Sequence, residues 1–112
     1  MMAVVRFHVS GDAGDFLVRA GDALTALAEC PGFEGGSLGP STDEPATWAM
    51  VTRWASVGQY RRALSSYAVK LRAHPLLYEA VDEPSAFEEL LSLSGDGVRR
   101  TAATDRAPEP LK

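Results

Sequence analysis

Trp48, Met50, Trp54, Tyr60 and Tyr67 fall within twenty residues of one another, and Arg53 stands among them. Indole and phenol rings offer wide apolar faces with a single polar tip, which suits the grip of a flat apolar molecule. Arg53, or Arg6 and Arg61 from other stretches, could stabilise a developing oxyanion. His8 and His74 are the only histidines, and imidazole titrates near neutral pH, so either could take a proton. The candidates for catalysis are therefore His8, Trp54, Tyr60 and His74. The candidates for substrate contact are Trp48, Met50, Arg53, Tyr67 and Phe33. Each also has a structural reading. Trp54 suits a core anchor, Trp48 suits interface packing, and Tyr60 and Tyr67 share a helix face that would pack on a sheet. His8 suits an interface, His74 the cap of a helix end, and Arg53 an ion pair with Glu88 or another acid. No Ser-His-Asp or Cys-His spacing stands out.

The elements that must position these groups follow from periodicity. The run from Ala46 to Trp54 alternates, with Trp48, Met50 and Trp54 on one parity and Ala49, Val51 and Arg53 on the other. Such alternation predicts a strand. Ser56-Val57-Gly58-Gln59 then reads as a capping box that satisfies two amides at a helix start, and the helix is expected to run from Val57 to Ala73. Earlier in the chain, Ala3–Val9 reads as a first strand, with Val5, Phe7 and Val9 on one face and Val4, Arg6 and His8 on the other. Asp12 or Asp15 offers an N-cap for a helix over Phe16–Glu29, which Pro31-Gly32 stops. Phe33–Leu38 is the second strand, and its Gly35-Gly36 pair marks a bulge or a close approach by other atoms. The turn-forming loop Gly39–Pro45 predicts antiparallel pairing with the third strand. Pro75 suits the first turn of a helix, so Leu76–Val81 is expected to be a short extra helix, with a strand as the alternative. Ser85–Leu93 is expected to be the fourth strand. The domain is expected to span residues 1–94, with residues 95–112 a mobile tail. The order β-α-β-β-α-(α)-β is that of a ferredoxin-like α+β fold, a four-stranded antiparallel sheet with its helices on one face. The opposite face retains apolar groups, as an interface would.

Composition narrows the function classes. The chain has 112 residues and a net charge of −4, which fits one domain. The last fifteen residues set four cations against two acids, so the rest holds seven cations against thirteen acids. An acidic body repels phosphate backbones, so no nucleic-acid partner is expected. Cys30 is the single cysteine, which excludes an intrachain disulfide and a cysteine-rich zinc site. Two histidines without spaced carboxylates offer too few ligands for a metal. No apolar run reaches membrane-spanning length and no signal peptide is evident, so a cytoplasmic protein with no membrane partner is expected.

The order of elements, the TRW-x-S junction at Thr52–Ser56 and the run YRRALSSYAVKLRAHPLLYEAVDEPSAFEEL resemble the antibiotic biosynthesis monooxygenase family, and more narrowly its small actinobacterial members. The likeness covers Ala3 to about Leu93. It implies a homodimer in which two sheets pack into a dimeric α/β barrel, with a cavity in each protomer between sheet and helices. Family relatives oxidise polycyclic aromatic phenols to quinones with molecular oxygen and no metal or flavin; others degrade haem. Haem-degrading relatives carry an Asn on the first strand and a Trp and a His on the second helix. Here the chain holds no Asn, Ala63 and Leu64 stand near where that Trp would fall, and only His74 lies near the His. The resemblance thus implies a cofactor-independent monooxygenase acting on a small aromatic or polyketide-like molecule. The alternative is a non-catalytic dimeric module that binds a small apolar molecule or stabilises a partner. The expected pocket lies between Trp54, Tyr60, Tyr67 and the sheet.

Overall fold

A computed structural model describes residues 1–104. Four strands form an antiparallel sheet in the order β2-β3-β1-β4, built from β1 (Met2–His8), β2 (Phe33–Pro40), β3 (Thr47–Trp54) and β4 (Ala86–Phe87). This is the ferredoxin-like arrangement expected from the element order. Helices α1 (Ala13–Ala28), α2 (Val57–Leu64), α3 (Tyr67–Arg72) and α4 (His74–Leu77) complete the main layer, and the core lies between them and the sheet.

Alternation decides which sheet face is covered. Ala3 and Phe7 of β1 and Trp48, Met50, Thr52 and Trp54 of β3 are buried. The opposite parity, with Arg6, His8 and Arg53, is exposed, and Val4 and Val51 face one another across the strand pair. Helix α1 starts where the Asp12 carboxylate accepts from the Gly14 and Asp15 amides, at 2.7 and 3.3 Å. Its buried stripe is Phe16, Ala20, Ala23, Ala26 and Leu27, and small side chains let the backbone approach the sheet closely. That approach explains Gly36, the second glycine of the pair in β2. A Cβ on Gly36 would stand 2.9 Å from Leu24 Cδ1, while the register shifts between Phe33 and Gly35 as a bulge.

Several expectations change. The helix foreseen over Val57–Ala73 breaks at Ser65-Ser66. The Ser65 hydroxyl bonds back to the Arg61 carbonyl at 3.1 Å, and Ser66 becomes the N-cap of α3. Adjacent serines that compete with the backbone account for the break. The Ser56 cap forms, but only half of the box. The Gln59 amide donates to Ser56 Oγ at 3.1 Å, while the Gln59 side chain meets that hydroxyl and lies over Gly32, whose φ is +90°. The short helix covers His74–Leu77 rather than Leu76–Val81, with Pro75 in its first turn. The expected fourth strand divides. Ala86–Phe87 pairs with β1, whereas β5 (Leu91–Leu93) turns away to pair with β6 (Arg99–Thr101) in a separate hairpin. Thus part of the expected mobile tail is strand, with Gly97 at φ +89° in its turn; residues 105–112 of that expectation lie outside the described residues. No helix of the described residues is long and apolar enough to cross a membrane.

Candidate functional site

An apolar cavity of about 270 Å³ opens between the β1 edge and helices α2 and α4. Val5 enters it from the covered face of β1. Tyr60 and Leu64, one helical turn apart, enter from α2, and His74 and Leu77 from α4. The rim is built by the segment that follows α4. Ala80 bridges to Phe7, the Val81 amide donates to the Arg6 carbonyl at 2.8 Å, and the Val4 amide donates to the Ser85 carbonyl at 2.7 Å. Between these anchors the edge bulges outward and brings Glu83 and Ser85 to the cavity.

Four polar side chains have defined surroundings. Tyr60 is half-buried, and burial raises its phenol pKa above the ordinary value, so at neutral pH it is a hydrogen-bond donor. Its ring leans on Trp54 at 5.4 Å between centroids. His74 Nε2 lies 2.8 Å from the Leu64 carbonyl. A carbonyl only accepts, so Nε2 carries a proton, and the tautomer with a free lone pair is the one that presents it on Nδ1. The Arg6 guanidinium grips Glu83 through Nε and Nη2, both at 2.6 Å. That hydrogen-bonded contact holds the Glu83 carboxyl below the usual carboxylate range and Arg6 above its own.

Of the residues singled out in the sequence, the fold brings Tyr60, His74 and Arg6 to one cavity and places the others elsewhere. Trp54 is 0 % exposed, wedged edge-on against Phe33 at 5.3 Å, and donates its indole N–H to Thr52 Oγ1 at 2.8 Å. It stands behind Tyr60 and does not line the cavity. Phe33 is half-buried against that indole. Met50 is core, and Trp48 packs on Phe16 at 5.4 Å near the other end of β3. Trp48 Nε1 is the one buried side-chain nitrogen or oxygen among the described residues without a hydrogen-bond partner. Tyr67 is 79 % exposed because the Ser65-Ser66 break reorients α3. The pocket expected between Trp54, Tyr60, Tyr67 and the sheet is therefore shifted to the sheet edge and keeps only Tyr60. His8 lines a small cleft with Asp12, Arg19 and Glu79. Arg53 lies in a hollow beside the β5–β6 hairpin, and Arg61 in one beside Met1 and Phe87. Leu77, Tyr78, Glu83 and Ser85 also line the cavity, without being among the residues that the sequence pattern singles out. The available signal was Glu83-Pro84: a proline next to a charge marks a bulged sheet edge. No group of three His, Cys, Asp or Glu side chains converges as a metal site among the described residues.

This geometry defines a ferredoxin-like protein with an apolar edge cavity, and comparison with known proteins gives the same fold. No protein-family model matches the chain, and no curated protein does. Solved structures do. SnoaB of Streptomyces nogalater, described as a cofactor-independent oxygenase, is 22 % identical with a TM-score of 0.64, over 96 % of this chain and 96 % of that one. A Bordetella bronchiseptica protein provisionally named an antibiotic biosynthesis monooxygenase is 21 % identical with a TM-score of 0.60, over 76 % of this chain and 88 % of its own. Rv0793 of Mycobacterium tuberculosis is 16 % identical with a TM-score of 0.59, over 76 % and 86 %. The fold is thus the one shared by structures named antibiotic biosynthesis monooxygenases, in agreement with the resemblance in the sequence.

Proposed function

We propose that the protein is a cofactor-independent monooxygenase that oxidises a small phenolic, polyketide-like aromatic molecule with molecular oxygen in the edge cavity. The carrying observation is the meeting of the Tyr60 phenol and the His74 imidazole in a cavity whose other walls are mainly Val5, Leu64, Leu77, Ala80 and Val81. Apolar walls exclude water and hold a flat ring, and two convergent polar groups orient it. The likeness to an oxygenase named as cofactor-independent supports the same reading.

The residues divide the work as follows. His74, with Nε2 fixed on the Leu64 carbonyl, takes the acidic ring-carbon proton of an anthrone-type substrate at Nδ1. Tyr60 donates to the oxygen that gains charge. The resulting delocalised carbanion passes one electron to O2, and the two radicals join as a peroxide. Protonation from His74 and loss of water leave a new carbonyl, so one substrate CH2 and one O2 give one C=O and one H2O. Trp54 acts as the rigid backing of Tyr60. The protein works in the cytoplasm as a homodimer joined through the sheet face that carries Val4 and Val51, forming a dimeric α/β barrel.

Oxygen uptake with an anthrone tests the enzyme reading: His74→Gln and Tyr60→Phe should each lower turnover about 10²-fold or more. Turnover absent in the wild type across a panel of phenols and anthrones would sink it. A second reading, a non-catalytic binding module, is favoured by one observation. The His74 bond to Leu64 also satisfies the last carbonyl of α2, a sufficient structural reason for that histidine. Light scattering tests the dimer, and a monomer at micromolar concentration contradicts it.

A further inference from the structure

The rim of the cavity carries a charge arrangement that the reaction above does not use. Register along the sheet edge shows how it is built. Ala86 lies opposite Ala3, yet Ala80 lies opposite Phe7. The edge chain therefore spends five residues, 81–85, where β1 spends three. Two surplus residues push Asp82, Glu83 and Pro84 outward. Pro84, lacking an N–H, leaves no ladder donor unsatisfied there. The bulge carries Glu83 onto Arg6, whose side chain is half exposed while that of Glu83 is only 27 % exposed. The Arg6 donors that match a carboxylate best, the Nε and Nη2 pair, are both occupied by Glu83.

We infer that the Arg6–Glu83 pair makes the cavity selective for neutral aromatic ligands over carboxylate-bearing ones. This rests on the reading of the cavity as a binding site for aromatic molecules. An arginine at the mouth of an apolar cavity would by itself capture a ring carboxylate by a bidentate grip. Glu83 already fills that grip and adds its own negative charge where the ligand carboxylate would sit. An incoming anion finds the guanidinium charge already neutralised and its fork filled, so the cost of stripping water from its carboxylate goes uncompensated. A phenol, neutral at pH 7, meets neither obstacle. Discrimination here comes from a cost left uncompensated for the disfavoured ligand rather than from a contact made to the favoured one.

The probes are 2-naphthol, neutral at pH 7, and 2-naphthoate, anionic at pH 7, titrated calorimetrically into the full chain at low salt. The wild type should bind naphthol about tenfold or more tightly than naphthoate. Glu83→Gln frees the guanidinium and should bring the two constants together by about tenfold, chiefly by tightening naphthoate. Arg6→Gln leaves the carboxylate unneutralised and should widen the gap. Both side chains are partly solvated in the single chain, and near-UV circular dichroism with light scattering confirms that each variant keeps its packing and its oligomeric state. Equal shifts of both probes in Glu83→Gln, or a wild type that takes naphthoate as readily as naphthol, would overturn the selectivity and leave the cavity reading in place. No binding of either probe to the wild type would overturn both.

Discussion

Replacing Trp54 tests whether that indole is the structural floor of the site, and the size of the effect can be worked from its surroundings. It is fully buried, touches Phe33 and Tyr60 by ring contacts at 5.3 and 5.4 Å, and donates to Thr52 at 2.8 Å. Truncation of a buried Trp or Phe to Ala costs about 3–5 kcal/mol. The loss of two aromatic contacts, each worth about 0.5–1.5 kcal/mol, places this site toward the upper end. Against a total stability of about 5–15 kcal/mol for a domain of this kind, Trp54→Ala should remove a third or more. The milder Trp54→Phe keeps most of the ring and deletes the N–H. It strands the Thr52 hydroxyl in the core, at a further cost of about 1–3 kcal/mol. Thr52→Val should restore part of that loss, since it removes the stranded group. Urea unfolding followed by far-UV circular dichroism reads all five proteins (wild type, Trp54→Ala, Trp54→Phe, Thr52→Val and the double variant), and the double-mutant cycle between Thr52→Val and Trp54→Phe should return an interaction of about 1 kcal/mol. An interaction near zero, or a Trp54→Ala protein within about 1 kcal/mol of wild type, would refute the assignment of Trp54 to the core.

Three further outcomes follow from the same geometry. Gly36→Ala should destabilise by about 1–3 kcal/mol, because the new methyl would meet Leu24 Cδ1 at 2.9 Å and Phe33 Cζ at 3.1 Å; its urea midpoint checks this. Asp12→Ala removes the cap of α1 and should cost about 1 kcal/mol, read from thermal melts, with Asp12→Asn losing less. Burial raises the Tyr60 pKa, so the folded and unfolded chains both hold that proton below the ordinary phenol value of about 10. Stability should therefore be independent of Tyr60 up to that pH. It should then fall as pH rises toward the folded value, because the unfolded phenol ionises first. Urea midpoints at increasing alkaline pH should show a shallower decline for Tyr60→Phe than for wild type, and parallel declines would contradict the shift.

Most of the scaffold could be read from the chain because single residues carry strong local signals. The Trp48–Trp54 alternation fixed β3 and its covered face, Asp12 gave the start of α1, and Gly35-Gly36 announced both the bulge and the close approach of Leu24. The signals failed where two local preferences compete. Helical spacing continues through Ser65-Ser66, yet those hydroxyls take backbone partners of their own and end the helix. Periodicity alone does not register that competition, so helical spacing predicts for Tyr67 a wall that it does not reach. The run Ser85–Leu93 likewise lacks β-branched residues that would fix its register. Its division into a two-residue edge and a separate hairpin arises from partners outside the run itself, the distant Met2 for Phe87 and Thr101 for Leu91. At the site, Tyr60 and His74 were legible as residue types. The ten-residue step from Leu64 to His74 that seats the imidazole was not, because it depends on how three short helices turn.

The aromatic file Phe33–Trp54–Tyr60 has a practical consequence. The chain holds two indoles, and only Trp54 has its ring against a cavity residue, while Trp48 lies in a separate file with Phe7 and Phe16. Trp54 emission thus serves as an unlabelled optical gauge of events at the Tyr60 ring, and Trp48→Phe leaves a chain that glows from that single position. Arrival of a molecule in the cavity can then be timed by stopped-flow, with the fold supplying its own dye.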